Sequence, residues 1–357
     1  MSDLARPLAE AAERLFARRC GAERVNAAER GEWPQDLWHA VEELGAAKLL
    51  VPEPRGGAGG DWQDACALLK KAGEHSVPLP LAETLLAAAA LARAGMEIPA
   101  GPLSFACAGP QARLERGSRG WRLSAQLAGV PWGAQSTALV LALARGEREP
   151  PLLACLPRAS FEAVPGRALC GEPRDAVSLS AVEIAQQNAA VLDSVDALAW
   201  GALGRAALIA GALRRALALS VEFSRQRVQF GRPIGQFQAV QHHLAVLAEE
   251  TAAANVACDA AAGACGTPWE LACIAAAKTR AGEAAGIGAR IAHQIHGAMG
   301  ITYEHVLHQS TRRLLTWRDE YGAEAYWARR LAECFRSRGD APLWSLVSAA
   351  TGREAAA

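Results

Sequence analysis

The stretch VDALAWGALGRAALIAGALRRALALSVEFSRQ, Val195 to Gln226, places the tightest limit on how the chain can fold. It contains no proline and is rich in Ala and Leu, so a single long helix is its natural conformation. Its apolar residues run around much of the helical circumference. Such a helix covers its surface only when other helices or subunits surround it. The chain carries further patterns of the same kind. Phe237, Val240, Leu244 and Leu247 recur at intervals of three and four, Trp269 to His296 reads as a third helix, and the segment after Glu304 reads as a fourth. Four long helices joined by short turns predict a bundle over residues 187–340.

The junction between the first two of these helices, EFSRQRVQFGRPIGQFQAVQ (Glu222 to Gln241), is chemically distinct. It holds Gly231, Pro233 and Gly235 and brings Arg225, Arg227 and Arg232 within eight residues. Guanidinium forks match phosphate oxygens two at a time, and the N–H groups at the next helix start add partial positive charge. The pattern points to a bound anion where helices meet. A solvated basic turn is the plain alternative.

Residues 1–100 also read as helices. Leu8, Ala12, Leu15 and Phe16 share a helical face, a second helix opens after Pro34 and closes at Gly45, and Asp61 is placed to cap a helix beginning at Trp62. Between them LLVPEPRGGAGG is a loop. It is no phosphate loop, since no strand precedes it and GxxxxGK[ST] is absent. Residues 101–186 change character: WRLSAQLAG, ALVLALAR, PLLACLP and AVSLSAVEI are short apolar or alternating runs bounded by Gly, Pro and charge. They predict a barrel or sandwich of six to eight strands. The fold class expected is thus mainly α with a central β domain, followed by a tail over 341–357.

Lys plus Arg and Asp plus Glu are both 37, giving no net charge, so nothing recommends nucleic acid or an acidic membrane surface as partner. The nine cysteines are scattered without a CxxC, which argues against a disulfide framework or a zinc site. The amphipathic, acid-containing N-terminus and the lack of a long uncharged apolar run predict a cytoplasmic protein with no membrane insertion.

RVQFGRPIGQFQAVQHHLA resembles the acyl-CoA dehydrogenase family, as does LWHAVEELGAAKLLVPEPRGGAGG in the N-terminal region. The resemblance implies three parts: a helical domain, a middle β domain and a C-terminal four-helix bundle. It implies FAD as cofactor, an acyl-CoA substrate, an electron-transfer acceptor protein and a homo- or heterotetramer. On the matching positions, Arg227 faces the flavin pyrophosphate, Phe230 stacks across a subunit boundary, and Gln229 and Gln238 are neighbouring contact positions. HQIHGAMGITYEH resembles the family's Gln…Gly-Gly-x-Gly segment, so Gln294 and Gly297 hold the adenosine end, with Ala298 in place of the second Gly. Trp132, in GVPWGAQSTALVLAL, takes the place of an aromatic beside the isoalloxazine. The family's Thr-Glu-Pro…Gly-Ser-Asp loop is missing from residues 107–120, and Arg312-Arg313 stands where Arg-Asp is usual.

The chemistry implied is α,β-dehydrogenation: a carboxylate takes the α proton while the flavin accepts the β hydride. Most members place that carboxylate 21 residues after the glycine matching Gly300, which here is Tyr321; others place it near Trp200–Gly201, where only Asp196 stands, four or five residues upstream. Glu320, one residue before Tyr321, is the candidate base, with Asp319 behind it. The alternative is a subunit without its own base whose partner chain supplies one, as in two-gene heterotetramers. Two further readings are a non-catalytic structural partner subunit and a flavin oxidase or monooxygenase of the same fold. His293, His296, His305 and His308 invite a metal, but no acid or cysteine completes a ligand set at convincing spacing, and none is expected.

Overall fold

The N-terminal patterns become helices α1 (Ala5–Arg19), α2 (Ala22–Glu29) and α3 (Gln35–Glu43), then α4 (Trp62–Glu74) and α5 (Leu81–Arg93). The structure, a computed structural model, describes residues 5–109, 111–117, 120–145, 150–192 and 196–337, with Gly339, Trp344 and Ser348. Most of the tail expected after residue 340 lies outside these. Asp61 does cap α4: its carboxylate accepts the Asp64 N–H and its own N–H donates to the Asp64 carboxylate, both at 2.9 Å. This is the reciprocal arrangement of a capping box.

The strands are β1 (Leu103–Ala108), β2 (Arg113–Gly117), β3 (Gly120–Pro131), β4 (Ala138–Leu143), β5 (Leu152–Pro157), β6 (Glu162–Val164), β7 (Arg174–Ala185) and β8 (Ala189–Val191). They form two four-stranded sheets, ordered β1-β4-β5-β8 and β2-β3-β7-β6, so the barrel alternative gives way to a sandwich. β1 runs parallel to β4, and the other pairings in these sheets are antiparallel. Leu123, Leu127, Leu139, Leu141, Leu156 and Val177 meet in its core. β4 is buried at every residue, which is why ALVLAL is continuously apolar rather than alternating.

The rest is helical: α6 (Ala197–Gln226), a hairpin of β9 (Val228–Gln229) and β10 (Arg232–Pro233), α7 (Gln238–Ala264), α8 (Glu270–His296), α9 (Leu307–Asp319) and α10 (Glu324–Arg336). The last helix expected from sequence is therefore two, broken at residues 320–323. The backbone there turns left-handed at Tyr321 (φ 53°) and Gly322 (φ 95°), which no α-helix accommodates. α8 is the central helix of the bundle. Ala275, Ala277, Lys278, Ala281, Ala284 and Ala285 along it are all buried, as its small residues require for close neighbours.

The chain divides into two compact units, Met1–Ala65 with Pro78–Trp200, and Cys66–Val77 with Gly201–Ala357. The greater part of α4 thus belongs with the bundle. A Cβ on Gly73 would stand 2.0 Å from the Leu208 carbonyl oxygen, and one on Gly211 would stand 1.9 Å from that of Lys70. Glycine at both positions lets the backbones of α4 and α6 touch. Lys70, 6% exposed, then reaches the Asp259 carboxylate at 2.7 Å. Among the described residues no helix is long and apolar enough to cross a membrane.

Candidate functional site

One end of the bundle gathers the residues singled out for flavin contact. The turn expected between α6 and α7 is a two-residue hairpin, with Gln229 paired to Arg232. Its central residues, Phe230 (φ 53°) and Gly231 (φ 80°), are both left-handed, as a type I′ connection demands. Gly231 accepts that conformation freely, whereas a bulky residue such as Phe230 is strained in it. Phe230 is nonetheless held at the tip and is 92% exposed. Its ring meets Phe237 edge-on at 6.0 Å, and the Arg232 guanidinium lies over Phe237 at 4.3 Å.

The hairpin is firmly mounted. Ile234 packs with Phe223, Leu244, Leu247, Ile291 and Ile295, and its N–H donates to the Arg227 carbonyl at 2.8 Å. Ile291 and Ile295 are on the closing turns of α8, which also carry Gln294 and lead to Gly297. Arg227, Gln238 and Gln294 are exposed, and their side chains have no partner among the described residues; Gln229 bonds only the adjacent Val228 carbonyl. Gly297 ends α8 at φ 57°, ψ −143°, a conformation that favours glycine, and nothing lies within 4 Å of where its Cβ would be. An unengaged guanidinium, unengaged amides and an open glycine turn on one end of the bundle are the donor types a dinucleotide diphosphate needs. Trp132 lies in the other unit, 4% exposed, with its ring edge against Trp33 at 6.1 Å.

Beneath this end sits an aromatic stack that spacing alone did not reveal. Phe223 stacks on His296 at 4.4 Å, and His296 meets His305 at 4.6 Å. His296 Nδ1 pairs with the Ala292 carbonyl at 2.8 Å, and its Nε2 is buried without a partner. Burial pushes His293, His296 and His305 below the usual imidazole range; His305 and His293 lower His296 further, and His308 and Arg215 lower His305. Among the described residues no group of three or more His, Cys, Asp or Glu is placed to hold a metal.

The turn between α9 and α10 carries the base question. Glu320 accepts a hydrogen bond from Arg205 Nε; Arg205 is 2% exposed and the Glu320 side chain 18%. A carboxylate so paired is pinned in place. Tyr321 meets the same helix. Its ring lies 5.3 Å from the Arg205 guanidinium carbon and covers Gly201 so closely that a Cβ there would stand 2.1 Å from Tyr321 Cδ1. The two positions at which the family resemblance looks for a carboxylate are therefore in contact, one a ring and the other a bare backbone.

Four groups hold this turn. Lys278, fully buried, donates to the carbonyls of Arg318 at 2.6 Å and Gly322 at 2.8 Å. Trp327 Nε1 donates to the Tyr321 carbonyl at 2.8 Å. Arg318 pairs with Glu324, which lies over Gly282 on α8. Burial lowers the Lys278 ammonium to about 8, against the pull of Glu324 and Glu320. Sequence reading passed over Arg205 and Lys278. The available signal was a charge flanked by apolar residues in each of two Ala-rich helices, Arg205 in GRAALIA and Lys278 in IAAAKT, since such residues are almost never buried unless paired.

The comparisons with known proteins agree with this architecture. The model of the acyl-CoA dehydrogenase N-terminal domain matches residues 2–98, and that of the C-terminal domain matches 193–333. Acyl-CoA dehydrogenase IpdE2 of Mycobacterium tuberculosis is 32% identical over 323 residues, covering 86% of this chain and 89% of that protein. Among solved structures, the ChsE4–ChsE5 complex from Mycobacterium tuberculosis superposes with a TM-score of 0.87 at 22% identity, over 96% of this chain and 99% of the other. A steroid acyl-CoA dehydrogenase, the Tcur3481–Tcur3483 G363A variant, gives 0.85 at 24% identity over 94% and 98%. At these identities the solved structures speak for the fold alone.

Proposed function

The chain belongs to the acyl-CoA dehydrogenase family, and from that premise we propose that it is an FAD-binding subunit acting in the α,β-dehydrogenation of an acyl-CoA thioester, with the proton-abstracting carboxylate supplied by an unlike partner chain. The observation that carries the flavin half of this reading is the strained hairpin, which holds Phe230 out in solvent beside an unengaged Arg227. Strain of this kind persists where a function uses it. Arg227 binds a diphosphate oxygen pair, Phe230 offers a ring face to an aromatic base, and Gln294 with the Gly297 turn takes the adenosine end. A neighbouring subunit is what Phe230 reaches, because its ring is 92% exposed rather than covered by its own chain. When bound, the flavin supplies the hydride acceptor.

The second half rests on the α9–α10 turn. Glu320 is committed to Arg205, so drawing a proton from carbon would first require breaking a largely buried ion pair. Tyr321 and Gly201 offer no carboxylate. A relative that crystallises as a complex of two differently named chains, ChsE4–ChsE5, makes an unlike partner a natural form for this fold. Asp319, the second candidate, is the exposed last residue of α9, one residue before the pinned Glu320. The lack of a carboxylate at Tyr321 and Gly201 also favours a structural partner subunit without flavin, and the hairpin argues against it.

The test is purification of the full chain alone and with the product of the adjacent gene, followed by an absorbance scan, the flavin-to-chain ratio and anaerobic addition of acyl-CoA. A yellow complex whose flavin band bleaches with acyl-CoA only when the partner is present is the expected result. A colourless protein that takes up no FAD in either preparation refutes the proposal.

A further inference from the structure

The α9–α10 turn is held far more firmly than a helix connection needs. Tyr321 is a bulky, half-buried residue in the left-handed region. Lys278 ties the Arg318 and Gly322 carbonyls, on either side of it, to α8, Trp327 takes its own carbonyl, and Glu320 is fastened to Arg205 on α6. All of these act to lay one ring along the α6 face from Gly201 to Arg205, where Gly201 has no side chain to resist it.

We propose that Tyr321 is a specificity-determining steric stop, set by Lys278 as its positioning residue, which bars a ring or branch of an acyl group from the space over Gly201. This rests on the reading above that the chain serves an acyl-CoA. The space is the size of the ring that fills it. Removing the ring while keeping a backbone that accepts a positive φ leaves an aryl-shaped hole whose floor is the bare Gly201 backbone. Lys278 acts through the turn that carries Tyr321, since its ammonium is fully buried against the Arg318 and Gly322 carbonyls.

Two measurements test this separately from the flavin assignment. The first uses the full chain and p-cresol, the tyrosine side chain as a free molecule. Tyr321→Gly should bind p-cresol and regain slow hydrogen exchange at residues 319–323, whereas the wild type should bind none. Lys278→Met should raise exchange in that turn at least tenfold, and Lys278→Arg should raise it less. Unchanged exchange in Lys278→Met, or no p-cresol binding by Tyr321→Gly, overturns the stop. The second measurement uses the flavin-loaded assembly with octanoyl-CoA and 3-phenylpropanoyl-CoA. Tyr321→Gly should shift the ratio of their dissociation constants at least tenfold toward the phenyl thioester, and an unmoved ratio overturns the specificity role. If no flavin is retained at all, the functional reading fails while the exchange and p-cresol results still judge the stop.

Discussion

Replacing Lys278 by Met examines the energetics of the α9–α10 turn most directly. The side chains are similar in length, but Met neither titrates nor donates. In the wild type the folded-state ammonium is lowered from 10.5 to about 8, because burial outweighs the attraction of Glu324 and Glu320. Below pH ~8 both folded and unfolded chains hold the proton, and the full cost of burying the charge is present. Between ~8 and ~10.5 the folded chain has released the proton and the unfolded chain has not, so stability climbs with pH. At about 1.4 kcal/mol per pH unit the climb is roughly 3 kcal/mol. The neutral amine still has two N–H groups for the Arg318 and Gly322 carbonyls, so the turn remains bonded at high pH. In Lys278→Met the climb is absent and two carbonyls lose their donor, at about 1–3 kcal/mol each if left unsatisfied. Near pH 7 the variant regains the cost of the buried charge, and the two effects largely offset. Urea unfolding followed by tryptophan emission, at constant ionic strength from pH 7 to 10.5, isolates the term as the difference between the two proteins. The gap should widen by roughly 3 kcal/mol toward high pH. Parallel profiles would show that Lys278 carries no buried charge cost, and the account of the turn would fail.

Four further outcomes follow from the same structure. Gly201→Ala should destabilise by about 1–3 kcal/mol in urea unfolding, because the new methyl meets the Tyr321 ring, and Tyr321→Gly should remove that penalty. Phe230→Gly relieves about 1–2 kcal/mol of left-handed strain and loses an edge-on contact of about 1 kcal/mol. Its unfolding midpoint should hardly move while FAD retention on gel filtration falls. Stability should decline as pH falls through and below the ordinary imidazole range, since the unfolded chain takes protons that folded His293, His296 and His305 resist; His296→Phe should flatten that decline in thermal scans from pH 7 to 5. Asp61→Ala removes the carboxylate that receives the Asp64 N–H and should cost about 1 kcal/mol in the same unfolding assay.

The sequence by itself determined the elements. Pro-free Ala/Leu stretches gave long helices, ALVLAL gave a strand covered on both faces, and Asp61 announced its helix, because each of these depends on residues a few positions apart. The spacing RVQFGRP also located the exposed hairpin, though as a plain turn; its strand pairing comes from left-handed Phe230, which no propensity recommends. Only the tertiary structure decided what those elements bring together. Gly201 and Tyr321 are 120 residues apart in the chain and touch. Lys278 reaches the carbonyls on either side of Glu320 and Tyr321, and Arg205 takes Glu320 out of service as a free carboxylate. Periodicity tells which face of a helix is buried, but the axial offset and crossing of two helices decide which residue on that face meets which. Those offsets are set by backbone approach at glycines such as Gly73 and Gly211 and by how side chains fill the space between, a property of the assembled bundle rather than of any one stretch.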